Sequence, residues 1–141
     1  MIINVKLSDN ALLPIHAKPG DAGLDLTSRE DVSLQPGSVQ IVTTGVCVEI
    51  PEGYFGLVAP RSGLSSKHGI TLANTPGIID SGYRGEIHVP LYNIGKEPYE
   101  IHKGDRVCQL IIVPYASCQC IEVDDMDHTD RGDTGFGSSG I

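Results

Sequence analysis

Apolar and polar residues alternate with a period of two over much of this chain, while helical periodicity is almost absent. Val39-Gln40-Ile41-Val42-Thr43 and Val46-Cys47-Val48-Glu49-Ile50 read as strands. A Pro51-Glu52-Gly53 turn leads into a third, Tyr54 to Ala59. Further on, Ile87, Val89 and Leu91 alternate with His88 and Pro90. Gly104-Asp105 then turns the chain into Arg106 to Val113, whose apolar run predicts a strand buried on both faces. With 17 glycines and 9 prolines punctuating such short strands, the pattern predicts a single all-β barrel or sandwich. There is no internal repeat, and no linker before the acidic stretch that begins at Asp124.

One segment departs from alternation: Pro60-Arg61-Ser62-Gly63-Leu64-Ser65-Ser66-Lys67-His68-Gly69. Ser62 suits a helix N-cap and Gly69 a C-terminal stop, so one short helix is predicted there. Free amides at its start, beside Arg61 and the Ser62 hydroxyl, would suit a phosphate. An ordinary capped helix would carry the same residues.

Length changes the picture by limiting it, since 141 residues make one core and not two. No apolar run approaches the ~18 residues of a membrane span, and Met1-Ile2-Ile3-Asn4 lacks the basic region of a signal peptide. The expectation is a soluble, cytoplasmic protein without a membrane partner. Cys47 and Cys108 sit inside apolar runs, where a reduced thiol behaves as a small hydrophobe. Cys118 and Cys120, one residue apart, match no common zinc or redox spacing, so no thiolate-bound metal is expected. The net charge of -8 repels a nucleic-acid backbone. A polyanionic small ligand would need local cations, or a divalent metal carried in with it.

Two stretches bear candidate chemistry. In Asn74-Thr75-Pro76-Gly77-Ile78-Ile79-Asp80-Ser81-Gly82-Tyr83-Arg84-Gly85-Glu86, Asp80 follows two apolar residues and precedes a Ser-Gly pair, as at a strand end leading into a hairpin turn. Its carboxylate either caps that turn or, next to a phosphate site, deprotonates a water. The tail, Arg131 to Ile141, alternates glycine with single polar residues and cannot bury enough apolar surface to order itself. Yet it carries an arginine, a phenylalanine and two serines. Its Arg131-Gly132-Asp133 also spells an integrin-binding tripeptide, a reading that an intracellular chain disfavours.

Taken together these stretches resemble the trimeric deoxyuridine triphosphatases, or dUTPases, which carry five short motifs in fixed order. All five occur here: Ala22-Gly23-Leu24-Asp25-Leu26, Pro60 to Leu64, Gly77 to Gly85, Gly104 to Ile111 and Arg131 to Gly140. The resemblance runs almost from end to end. It implies a jelly-roll-like β-barrel with one short helix over residues 1–123, an acidic connection and glycine-rich lid over 124–141, and a homotrimer with shared sites. It also implies hydrolysis of dUTP to dUMP and pyrophosphate, which keeps uracil out of DNA and supplies dUMP for thymidylate synthesis.

Residue by residue, the resemblance makes Asp80 the general base for a water that attacks the α-phosphorus. Tyr83 would pack against the deoxyribose and leave no room for a 2'-hydroxyl. The backbone from Gly77 through Ile78 and Ile79 to Tyr83, with Asn74, would read uracil. Cytosine would present a donor to a donor there, an unpaired arrangement that costs about 1 to 3 kcal/mol. Ser62, Gly63 and Gln109 would contact the phosphate chain, and Arg61 would reach its outer part from another subunit. Asp25 would hold, through water, a Mg2+ carried by the triphosphate. Arg131, Gly137 and the hydroxyls of Ser138 and Ser139 would hold the γ-phosphate while Phe136 covers the uracil.

Three positions depart from the family pattern. Thr134 stands where tails usually have glycine, Ser139 where threonine is usual, and Gly82 where an acidic residue is commoner. Thr134 stiffens a hinge position and Gly82 loosens the turn. His16, His68, His88, His102 and His128 are scattered without metal-ligand spacing and read as structural or surface residues. Two rival functions are a dCTP deaminase relative and a non-catalytic trimeric β-module. The first needs a glutamate where Pro90 stands, and proline cannot shuttle a proton. The second leaves Asp80, Tyr83, Gln109 and Arg131 without a reason to occur together.

Overall fold

Alternation in the sequence becomes short antiparallel pairings. A computed structural model describes residues 1–135, which form a jelly-roll-like β-barrel with one short helix. β1 (Asn4–Leu7) pairs with β5 (Val46–Glu49), and β3 (Val32–Leu34) with β10 (Tyr99–Ile101). A four-stranded sheet runs in the order β2 (Leu24–Thr27), β11 (Arg106–Pro114), β6 (Tyr54–Pro60), β8 (Gly77–Ile79). A three-stranded sheet runs β4 (Val39–Thr43), β9 (His88–Asn93), β7 (Ile70–Leu72). Helix α1 (Ser62–His68) bridges β6 and β7.

Leu34, Val48, Val58, Leu91, Ile101 and Leu110 come from all four sheets and are each 5% exposed or less. Burying each such side chain stabilises the fold by about 1.5 to 3 kcal/mol, before the entropy cost of ordering. Leu110→Ala, at the centre of β11, would cost about 2 to 5 kcal/mol. Pro90 lies in the middle strand of its sheet without breaking it. Its carbonyl accepts from Ala73 N at 2.8 Å, so its missing N–H faces the same side, just past the end of β7.

The strands over 39–43, 46–50, 54–59 and 106–113 stand within a residue of the expected places. In β11 Val107, Cys108 and Leu110 are buried, but Gln109 and Ile111 to Val113 are only half-buried, so the expected burial on both faces is not met. Two local expectations need correction. Ser62 is the first residue of α1 and not its cap: Arg61 holds that position with extended backbone, continuing from β6, and no side chain caps the helix. Gly69 does end α1, at φ 68°, where a Cβ would come within 2.8 Å of the Gly95 backbone. The turn after Asp80 is present, with Tyr83 N bonded to Asp80 O at 3.0 Å, but it closes no hairpin. β8 pairs with β6 while β9 pairs with β4 and β7, so this segment crosses from one sheet to the other.

Candidate active site

A register shift in β11 assembles the first group of candidate residues. Arg106 lies opposite Thr27 and Gln109 opposite Asp25, which leaves Val107 as the extra residue of a bulge. In a regular strand, positions 106 and 109 would face opposite sides. The bulge turns Arg106 and Gln109 onto the face that carries Asp25, while Val107 and Cys108 both go inward.

Asp25 is held from two directions, with its side chain 10% exposed. Oδ1 is 3.0 Å from Nε of Arg61, and Oδ2 is 3.1 Å from Nη1 of Arg106. Gln109 Nε2 donates to the Pro60 carbonyl at 3.2 Å, so it lies alongside the entry to α1. A cleft of about 320 Å³ is lined by Gly23, Asp25, Arg61, Ser62, Gly63 and Gln109. The first backbone bond of α1 runs from Ser65 N to Arg61 O, which leaves the amides of Ser62 and Gly63 free of intrahelical partners. Beneath lies the Cys108 thiol, which burial pushes from 9.0 up to about 12. The Asp25 charge adds to that shift, and Arg61 opposes it.

A second group gathers where β8 ends. A cavity of about 250 Å³ is lined by Ile78, Ile79, Asp80, Tyr83, Glu86 and His88. Asp80 is exposed, and among the described residues its carboxylate has no hydrogen bond or ion pair, so it does not cap its own turn. The Tyr83 hydroxyl donates to the Glu86 carbonyl at 2.9 Å, and its ring lies across Gly85, where any Cβ would overlap it. Asn74 is exposed beside Gly77, and the two share a hollow of about 40 Å³ with Ile78, His88 and Pro90.

The two groups do not meet within one chain. Gly77 pairs with Val58 and Ile79 with Gly56, so β8 runs toward the Tyr54 end of β6, whereas Arg61 leaves the opposite end. At about 3.3 Å per residue, Asp80 and Arg61 are separated by roughly 20 Å along the sheet. Arg131 is exposed, and its Nε donates to the Thr134 carbonyl at 3.3 Å within a local turn. Phe136, Gly137, Ser138 and Ser139 lie outside the described residues. Among those described, no cluster of three acidic, histidine or cysteine side chains could hold a metal ion, and no helix is long and apolar enough to cross a membrane.

Comparison with known proteins places this arrangement. The family model for dUTPase matches residues 9–140. The chain belongs to the dUTPase family. It is 50% identical over 130 residues to the deoxyuridine 5'-triphosphate nucleotidohydrolase of Cutibacterium acnes, which covers 92% of this chain and 86% of that one. The fold superposes on the dUTPase of Staphylococcus bacteriophage 80alpha, solved with dUPNHPP, at a TM-score of 0.94 and 34% identity, covering 99% of each chain. A variant dUTPase from phage phi11 of S. aureus, described for its coordination of a structural Mg(II) ion, is 32% identical at a TM-score of 0.83, over 89% of this chain and 98% of that one.

Within this dUTPase frame, four residues that organise both groups carried too little sequence signal to be singled out. Arg106 shares Asp25 only because of the bulge, which alternation alone does not reveal. At Gly23 a Cβ would overlap the Gln109 side chain, so that glycine keeps Gln109 against the cleft. Gly85 does the same for the Tyr83 ring. Glu86 supplies the carbonyl that receives the Tyr83 hydroxyl. A glycine two residues before Asp25 and another two after Tyr83 were the available hints.

Proposed function

We propose that the chain hydrolyses dUTP to dUMP and pyrophosphate. The observation that carries the chemistry is the Asp80 carboxylate, exposed at a strand end with no partner among the described residues. A carboxylate bonded to neither amide nor cation is available to take a proton. In the reaction it takes one from a water whose oxygen attacks the α-phosphorus. The bond from that phosphorus to the bridging oxygen breaks, and pyrophosphate leaves on the opposite side.

Tyr83, fixed over Gly85, packs against the deoxyribose and excludes a 2'-hydroxyl. Asn74 and the backbone from Gly77 to Ile79 read the uracil edge. Ser62, Gly63 and Gln109 hold the phosphates through amides and side-chain donors, and Arg61 holds their outer part. The segment 124–141 acts as connection and lid, with Arg131, Gly137, Ser138 and Ser139 on the γ-phosphate and Phe136 over the base. Separation of the two residue groups by roughly 20 Å along the sheet supports a trimer in which neighbouring copies complete each site.

The donor set suits magnesium as part of the substrate. Both oxygens of Asp25 are engaged by arginines, and the described residues form no cage of ligands. Mg2+ prefers phosphate oxygens and water, so Asp25 would meet it through water. Bound to the triphosphate, it would neutralise charge on the departing pyrophosphate. The location that fits this chemistry is the cytoplasm.

The test is pyrophosphate release from dUTP, dTTP, dCTP and UTP, each with magnesium and with a chelator. Strong preference for dUTP, and a large loss with chelator, is expected. Equal turnover of dUTP and UTP would remove the role given to Tyr83, and no turnover of dUTP would leave a binding module.

A further inference from the structure

The hydroxyl end of the Tyr83 ring lies against Gly85, and the hydroxyl itself is held by a single carbonyl, that of Glu86. That carbonyl belongs to the Glu86–Ile87 peptide unit, which is planar, so whatever fixes its N–H also aims its C=O. The Ile87 N–H donates to the Val46 carbonyl at 2.8 Å. The Ile87 carbonyl accepts from Thr44 Oγ1 at 2.8 Å, and Thr44 is 0% exposed. The Glu86 carboxylate accepts from Gly45 N at 2.8 Å through Oε1. Three consecutive residues of the β4–β5 corner therefore grip both residues of this unit.

The corner itself is rigid. Gly45 has φ 69°, a conformation that favours glycine, and a Cβ there would come within 2.6 Å of Ala11. Its carbonyl accepts from Ser8 N at 2.8 Å. Glu86 is the one polar side chain of the grip that reaches the cavity holding Asp80 and Tyr83. Its other neighbour, His88 Nε2, stands 3.7 Å away, too far for a strong bond.

We infer that Glu86, clamped by the Thr44–Gly45–Val46 corner, is a positioning residue that sets the discrimination between deoxyribose and ribose by holding the Tyr83 hydroxyl. A ring excludes a hydroxyl only as well as it is kept from moving aside. The grip on Glu86 removes that freedom from a residue that is itself 44% exposed at the cavity edge. The inference rests on the proposed sugar-packing role of Tyr83.

The experiment measures kcat/KM for dUTP and for UTP, and reads their ratio, in the full-length magnesium-supplied protein and its variants. Glu86→Ala removes the acceptor for Gly45, and the ratio should fall about three- to tenfold, the value of one hydrogen bond. Glu86→Gln keeps an oxygen in the same place and should hold the ratio near that of the unaltered chain. Tyr83→Phe should fall as Glu86→Ala does, and the double variant no further, because both act through one contact. Where Glu86→Ala does not fold, Thr44→Val removes the bond to the next carbonyl, that of Ile87, loosens the same corner and is read identically. An unchanged ratio in folded Glu86→Ala or Thr44→Val overturns the inference, as does a Glu86→Gln ratio as low as that of Glu86→Ala. Failure of the unaltered chain to hydrolyse dUTP would instead overturn the proposed function.

Discussion

Two variants, Arg61→Ala and Asp80→Asn, disable different residue groups, and the distance between the groups decides what their mixture does. Along β6 the two positions are separated by roughly 20 Å, more than a triphosphate held at Arg61 can present to a water on the same chain's Asp80. Each site of the proposed trimer then takes Asp80 from one copy and Arg61 from a neighbour. In a random equal mixture each group is intact in half of the copies, so about one quarter of sites have both. Loss of the general base alone leaves on the order of 1% of activity or less, and that background makes a quarter easy to see. The variants carry different tags, are denatured together, refolded, and purified on both tags in turn so that only mixed assemblies remain. Each mixed trimer then holds one complete site in three, so pyrophosphate release from dUTP should recover to roughly a third of the unaltered level. Doubly tagged assemblies with no more activity than their parents would mean that one chain builds the whole site, and the reasoning from strand register would be wrong.

Asp80→Asn alone should lower kcat on the order of 10² to 10⁴ fold with little change in nucleotide affinity, measured by single-turnover kinetics and calorimetry. Lost thermal stability with normal turnover per folded molecule would instead mean a structural role. Deleting 131–141 should leave the melting temperature and oligomeric state intact while turnover collapses, because the segment has too few apolar residues to belong to the core. At alkaline pH, Cys108 should destabilise the fold. Its thiol is raised to about 12 when folded, so its contribution is complete below 9.0 and is lost as pH rises from there through 12. Melting temperatures from pH 8 upward should fall more steeply for the unaltered chain than for Cys108→Ala, and parallel curves would refute it.

The long strands were legible because their alternation spans five or more residues and ends in turn-forming residues. β3, β7, β8 and β10 have three residues each, too few for a period to declare itself, and they exist because neighbouring strands offer ladders. Asp80 was legible as a strand-end carboxylate, but its turn suggested a hairpin because Ser81-Gly82 is local chemistry, whereas strand pairing is decided by register with β6 and β4. Ser62 looked like a cap because serine usually is one, yet the chain leaves β6 still extended and gives that place to Arg61. The partners of Asp25 were hidden for a different reason. A one-residue bulge inverts the facing of everything beyond it, and nothing in Arg106-Val107-Cys108-Gln109 advertises where the extra residue falls.

The bulge also bears on how a chain of net charge -8 accepts a polyanion. Asp25, Arg61 and Arg106 sum to one positive charge, which offsets Asp21 in the lining of the same cleft and leaves the site neutral in a molecule that is negative overall. Asp25 occupies a guanidinium that, on the proposed function, a phosphate needs. Its effect is to hold Arg61 beside the cleft before ligand arrives, so less side-chain freedom is lost on binding. On the proposed function, Arg61 then exchanges one carboxylate oxygen for phosphate oxygens. Left alone, a carboxylate only 10% exposed would become an unpaired, poorly hydrated charge, and that would cancel much of the gain. Arg106, turned onto the same face by the bulge, keeps its bond to the second oxygen and prevents this. On the proposed function, two arginines around one aspartate let phosphate bind without stranding a negative charge beneath it.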